Sequence, residues 1–218
     1  IKVEPYAPPM NSSLTIKFRR VGKVLFFFED FDGSSVNTTK WVTKLNDGSI
    51  VVSNSYVTLS SNGGSFPEVY TRMNPFPTTG DFILEFDLTY VLVTGDGSGF
   101  WVSDGILEYK QHGVAPENLI LCVWQDRYVY NDERYLRITL LGDHVYSSNE
   151  IDMNTHIFRL EYSHGTYTLY MDGIQIASKS STLRPTLVGF GHPPAPWVPH
   201  IPVTWTSFRI DKISVYKI

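Results

Sequence analysis

Glu85 and Asp87 stand two residues apart in Phe82-Ile83-Leu84-Glu85-Phe86-Asp87-Leu88. In an extended strand, residues i and i+2 project from one face, so both carboxylates would share a side. Carboxyl pairs of this kind cleave glycosidic bonds, one as acid/base and the other as nucleophile or base. The competing reading is a solvated strand face. It is preferred because Thr89, Tyr90 and Val91 stand where a further acid would be needed. Glu108, Glu117 and Glu133 lack a partner at strand spacing. The six histidines show no metal-ligand spacing, and no nucleophile-elbow motif occurs. The single cysteine, Cys122, lies in the apolar run Leu119-Ile120-Leu121-Cys122-Val123, which suits a buried, inert thiol.

Binding chemistry has better candidates. His192-Pro193-Pro194-Ala195-Pro196-Trp197-Val198-Pro199-His200 is stiffened by its prolines. Trp197 at its centre offers a flat aromatic face of the kind that stacks on sugar C–H groups; the alternative is an indole packed on its own domain. Tyr128 and Tyr130 in Asp126-Arg127-Tyr128-Val129-Tyr130 would extend that aromatic surface. Trp101, Trp124 and Trp205 lie within strand-like runs and are expected mostly in the core.

The elements that must carry these residues read as β throughout. Aromatic residues are abundant, with 13 Phe, 13 Tyr and 5 Trp in 218 residues, and such residues favour half-buried pleated surfaces. Phe82, Leu84, Phe86, Leu88 and Tyr90 alternate with Ile83, Glu85, Asp87 and Thr89, so the first set should face a core. Val24 to Phe31 reads as a buried-type strand, and Ile157–Tyr162 with Tyr167–Met171 as a hairpin. No segment holds a helical period over three turns. Many short strands without helices predict an all-β, two-sheet antiparallel sandwich. Residues 1–23, rich in Pro, Asn and Ser, are expected to form a linker or edge strand, and residues 24–218 the domain. Net charge is −4 without a basic run, which argues against a nucleic-acid partner. No stretch approaches 18–20 apolar residues, so no membrane insertion is expected. The chain starts at Ile1, without a signal peptide, and is read as processed or as part of a larger protein.

Several segments in order resemble the concanavalin A-like lectin and glucanase superfamily, which includes L-type lectins and laminin-G-like jelly rolls. They are Glu29-Asp30-Phe31-Asp32-Gly33 with Trp41, Gly80 to Asp87, Gly95 to Val102, the hairpin from His156 to Gly173, Leu187 to Phe190, and Phe208 to Val215. The resemblance implies a jelly roll. It also implies that Asp96 and Gly97 match the Asp-Gly pair with which L-type lectins grip sugar hydroxyls. A carboxylate suits that task through charge-assisted hydrogen bonds, although Gly95 to Gly99 is also a natural turn composition. It implies calcium as the possible cofactor, at one of two places. One is the last-strand Asp211 with Asp30 or Asp32. The other is a loop with Asp126, Asn131 and Asp132, whose spacing departs from the lectin pattern: Tyr130 stands where Asn is wanted, and Trp124 replaces an acid.

Together these readings favour non-catalytic carbohydrate binding, by a protein that is secreted or displayed on a cell or virion surface. Asp96, Gly97, Trp197, Tyr128 and Tyr130 would contact a glycan or polysaccharide. The rivals are a glycoside hydrolase or polysaccharide lyase of the same fold, and a structural or adhesive module that binds protein.

Overall fold

The computed structural model describes residues 22–45, 48–60, 67–93, 99–107, 116–128, 133–148, 153–191 and 206–218. Fifteen strands occur among them, and no helix. In chain order they are β1 (Val24–Glu29), β2 (Trp41–Lys44), β3 (Ser49–Ser53), β4 (Tyr56–Ser60), β5 (Glu68–Thr71), β6 (Phe82–Val93), β7 (Gly99–Ser103) and β8 (Leu119–Tyr128). Then follow β9 (Glu133–Leu140), β10 (Asp143–Ser147), β11 (Thr155–Ser163), β12 (Thr166–Met171), β13 (Ile174–Ser180), β14 (Leu187–Gly191) and β15 (Thr206–Lys217). Most of the segment expected as a linker or edge strand, residues 1–21, lies outside the described residues; Gly22 and Lys23 lead into β1.

Two antiparallel sheets form a sandwich. The first has the order β13-β12-β11-β6-β15-β4-β3, with β1 also on β15; the second runs β10-β9-β8-β7-β14-β5-β2. Strand β15 holds the first sheet together. It pairs with β6 along one edge and with β4 and then β1 along the other. A register shift between Ile210 and Ile213 places Asp211 and Lys212 in a bulge.

The alternation in β6 points as the sequence dictates. Phe82, Leu84, Phe86 and Leu88 are buried in the core between the sheets. Phe86 stacks on Phe100 of the opposite sheet, with ring centroids 3.6 Å apart. Both hairpin turns of β11-β12-β13 use two residues with positive φ: His164 and Gly165 (50° and 80°), then Asp172 and Gly173 (52° and 79°). This is the turn chemistry that matches strand twist.

One expectation changes. The apolar run from Val24 is not a buried strand: Val24, Leu25 and Phe26 are 62%, 52% and 51% exposed. Among the described residues β1 has one pairing partner, β15, and only its last residues turn into the core.

Candidate functional site

Glu85 and Asp87 do share the outer face of the first sheet, as β6 alternates. Their surroundings are those of a charged ladder. Glu85 lies 3.4 Å from the Lys23 ammonium and 3.8 Å from Arg159 Nε. Arg159 also pairs with Glu161 and lies over the Tyr170 ring. Asp87 differs. Burial, then the neighbouring Asp211 carboxylate, raises its pKa; Lys212 partly offsets this and Glu85 adds to it. An acid whose folded pKa is raised favours the neutral form in the fold. Its contribution is therefore fully present below the unfolded value near 4 and is lost as pH rises through the folded value. Asp87→Asn should accordingly raise the melting temperature at pH 7, by no more than about 2–4 °C because the group is only half-buried. The gain should vanish near about pH 3. Thermal melts of both proteins at the two pH values check this.

The expected calcium ligands do not come together as a carboxylate cluster. Among the described residues, no three acidic, histidine or cysteine side chains converge on a point that could hold a metal ion. Asp32 accepts a hydrogen bond from the Ser55 hydroxyl, and its N–H donates to Asp30 Oδ1 at 3.3 Å. Both acids thus serve the turn after β1, while Asp211 stands against Asp87. Of the alternative set, Asp126 pairs in register with Tyr135 within β8, with its side chain outside what is described; Asn131 and Asp132 lie outside the described residues.

Asp96, Gly97, Tyr130 and Trp197 also lie outside the described residues, and Tyr128 is placed only by its backbone, opposite Glu133. The strand ends that carry them are described. Gly99, the first residue of β7, pairs with Gly191, the last of β14, and with Trp124 of β8. β8 runs four residues past that point, to Tyr128. Residues 94–98, 129–132 and 192–205 therefore leave from one end of the second sheet.

The outer face of that sheet was missed by sequence reasoning. Phe100, Val102, Leu121 and Val123 turn into the core between the sheets, while Trp101, Cys122 and Trp124 form a second buried cluster on the other side. Trp101 and Trp124 are thus buried, as expected of strand tryptophans, but not between the sheets. The Trp101 indole lies where a side chain on Gly189 would be. Its Nε1 and the Thr139 hydroxyl are closed from solvent with no hydrogen-bond partner among the described residues. Trp124 lies 5.6 Å from the His144 ring. The available signal was that β7 and the start of β8 are apolar at successive positions, which marks strands covered on both faces. Glu68 of β5 is bound to Lys44 at 3.0 Å.

A hydroxyl, an imidazole and a carboxylate also meet where no sequence motif announced them. Ser163 Oγ donates to Asp81 Oδ2 at 2.9 Å and lies 2.8 Å from His164 Nδ1. The hydroxyl proton is directed at the carboxylate, and the His164 N–H donates to Asp81 as well. Burial raises the Asp81 pKa, but these two hydrogen bonds with the His164 and Arg184 charges hold it below the ordinary value. The group staples the β11–β12 turn to β6.

No family profile matches this chain, and no curated protein matches it by sequence. Solved structures do match. One comes from work on endo-acting O-glycanases of the human gut microbiota that initiate mucin breakdown, at 13% identity and TM-score 0.62, covering 89% of this chain and all of that one. A laminarinase from Flavobacterium sp. UMI-01 gives 15% identity and TM-score 0.59 over 89% of this chain and all of its own. The exoplasmic/lumenal domain of VIP36, in its Ca2+/Man3GlcNAc-bound form, gives 14% and 0.54 over 83% and 86%. The likeness spans glycan-cleaving and glycan-binding proteins alike, and what they share with this chain is the concanavalin A-like jelly roll.

Proposed function

We propose that the chain binds glycans without cleaving them, outside the cytoplasm, at the end of the second sheet from which residues 94–98, 129–132 and 192–205 leave. The observation that carries this reading is the register Gly191–Gly99–Trp124. It roots in adjacent strands the three segments bearing Asp96 and Gly97, Tyr130, and Trp197, with Tyr128 at the end of β8. Asp96 supplies directional hydrogen bonds to sugar hydroxyls and Trp197 an apolar face.

The non-catalytic part is supported by what strand β8 presents. Glycosidic cleavage needs two carboxyl groups about 5–9.5 Å apart across the bond. The described outward positions of β8 are Leu119, Cys122 and Trp124. Glu85 and Asp87 stand on the other sheet, with Glu85 held in the ladder. Hydrolysis remains the rival because glycanases share the fold; product release from laminarin by the purified chain would establish it.

A glycan array with and without chelator identifies a ligand and tests calcium at once. Titration of that ligand by calorimetry then tests the residues. Asp96→Asn should weaken binding by roughly ten- to a hundred-fold, the loss of a charge-assisted hydrogen bond. Trp197→Ala should weaken it while the domain stays folded. Parent-like binding by both folded variants rejects this site.

A further inference from the structure

At the other end of β7, a cleft of about 610 Å3 opens beside Asp104. Four segments far apart in sequence build it: Asp104 after β7, Pro116–Leu119 leading into β8, Leu141 and Gly142 between β9 and β10, and Ser181–Arg184, which crosses from the first sheet to the second. The walls are pinned. Asn118 Nδ2 donates to the Asp104 carbonyl at 2.8 Å, and Tyr167 OH to the Leu183 carbonyl at 2.6 Å. Arg184 donates to the carbonyls of Pro77 and Gly80 and lies 4.4 Å from the Tyr162 ring centroid.

Several groups facing this space have hydrogen-bonding capacity left. Asp104 Oδ1 takes the Thr186 hydroxyl at 3.2 Å, and its second oxygen has no partner among the described residues. Ser181 Oγ accepts from Leu183 N–H at 3.1 Å, which leaves its own proton to donate. Thr182 is exposed. Leu119, Leu141 and Leu183 supply apolar surface between them. Pockets of this volume, with apolar walls and a few fixed polar groups, suit small ligands. The Asp104 carboxylate, the Ser181 and Thr182 hydroxyls and the leucine surface together match a sugar ring, which presents both hydroxyls and C–H groups. A divalent cation fits less well, since no three ligating side chains converge among the described residues. Among the described lining residues, Asp104 keeps a carboxylate oxygen for this space, while the Arg184 guanidinium is committed to the Pro77 and Gly80 carbonyls, which disfavours anionic ligands.

We propose that this cleft is a second saccharide site, which takes a neutral or amino sugar ring and rejects uronates. It does not depend on the site at the Gly99 end, and the two together would let one chain hold two glycan strands. The test is an amide-resonance titration of the full chain with glucose, glucosamine and glucuronate. Resonances of Gly105, Gly142 and Leu183 should shift with glucose, more readily with glucosamine, and least with glucuronate. Asp104→Asn keeps an oxygen for the Thr186 hydroxyl; it should weaken glucosamine binding about tenfold and erase its advantage over glucose. Thr182→Ala should weaken both. The same shifts should persist in Asp96→Asn and Trp197→Ala. Cleft resonances that stay silent with all three sugars, or answer glucuronate as strongly as glucosamine, overturn the proposal. Shifts confined to Gly99 and Gly191 overturn it too, while leaving the first site standing.

Discussion

Glu29→Ala should cost the fold about 3–5 kcal/mol, the range seen when one partner of a buried, hydrogen-bonded charge is removed. The Glu29 side chain is 7% exposed and does three things at once. Its Oε1 accepts the Phe31 N–H at 3.1 Å, its Oε2 accepts Trp41 Nε1–H at 2.9 Å, and Lys40 Nζ stands 3.3 Å from Oε2. Phe31 is held at φ 52°, a conformation uncommon for a non-glycine residue. Trp41 is fully buried against Phe27, Phe31 and Phe190. With alanine, two buried donors lose their acceptor at once, at about 1–3 kcal/mol each. Glu29→Gln keeps an acceptor and should lose less, roughly 1–2 kcal/mol. Urea midpoints for the two variants give the comparison. An alanine variant within about 1 kcal/mol of the parent would mean that the turn re-forms with other acceptors.

Gly99→Ala should be nearly as damaging for a different reason. A Cβ at Gly99 would overlap the Val123 carbonyl oxygen and lie 2.8 Å from Trp124 Cα. Overpacking usually costs about 1–3 kcal/mol because side chains can shift. Here the obstacle is the backbone of the paired strand β8, so the loss should reach about 3 kcal/mol or more. Gly105→Ala provides the control, since a Cβ there meets nothing within 4 Å and only its φ of 81° opposes the change. Thermal unfolding should separate the two, with Gly99→Ala melting at the lower temperature; the reverse order would mean that β7 and β8 part easily.

The contrast between these sites shows how far the chain can be read before it folds. Period-two alternation in β6 and the Asp172-Gly173 and His164-Gly165 turns are local properties, and they gave strands, faces and hairpins directly. The Glu29-Asp30-Phe31-Asp32-Gly33 segment was legible as a resemblance, but the reason for it appears only when Trp41 arrives from twelve residues away. Edge position was not legible: Val24-Leu25-Phe26 is as apolar as a central strand, and exposure depends on how many neighbours the strand acquires. The outer layer of the second sheet was legible only as the unbroken apolar runs of β7 and early β8, because a strand covered on both faces has no period of two to detect. The candidate glycan residues were named from composition and order in segments that leave the sheet, so register supports their common origin rather than their contacts. The cleft at Asp104 had no sequence signal, since its four segments each contribute a few ordinary residues.

The outer layer of the second sheet has a practical side. Its centre holds the chain's only thiol, Cys122, 3% exposed, and burial pushes that thiol's pKa up. A thiol-directed reagent must therefore wait for the cluster of Trp101, Cys122 and Trp124 to open. If opening is cheaper than global unfolding, labelling under native conditions reports a local opening free energy. One unmodified side chain thus serves as a built-in clock for how often the covered face of the sheet meets solvent.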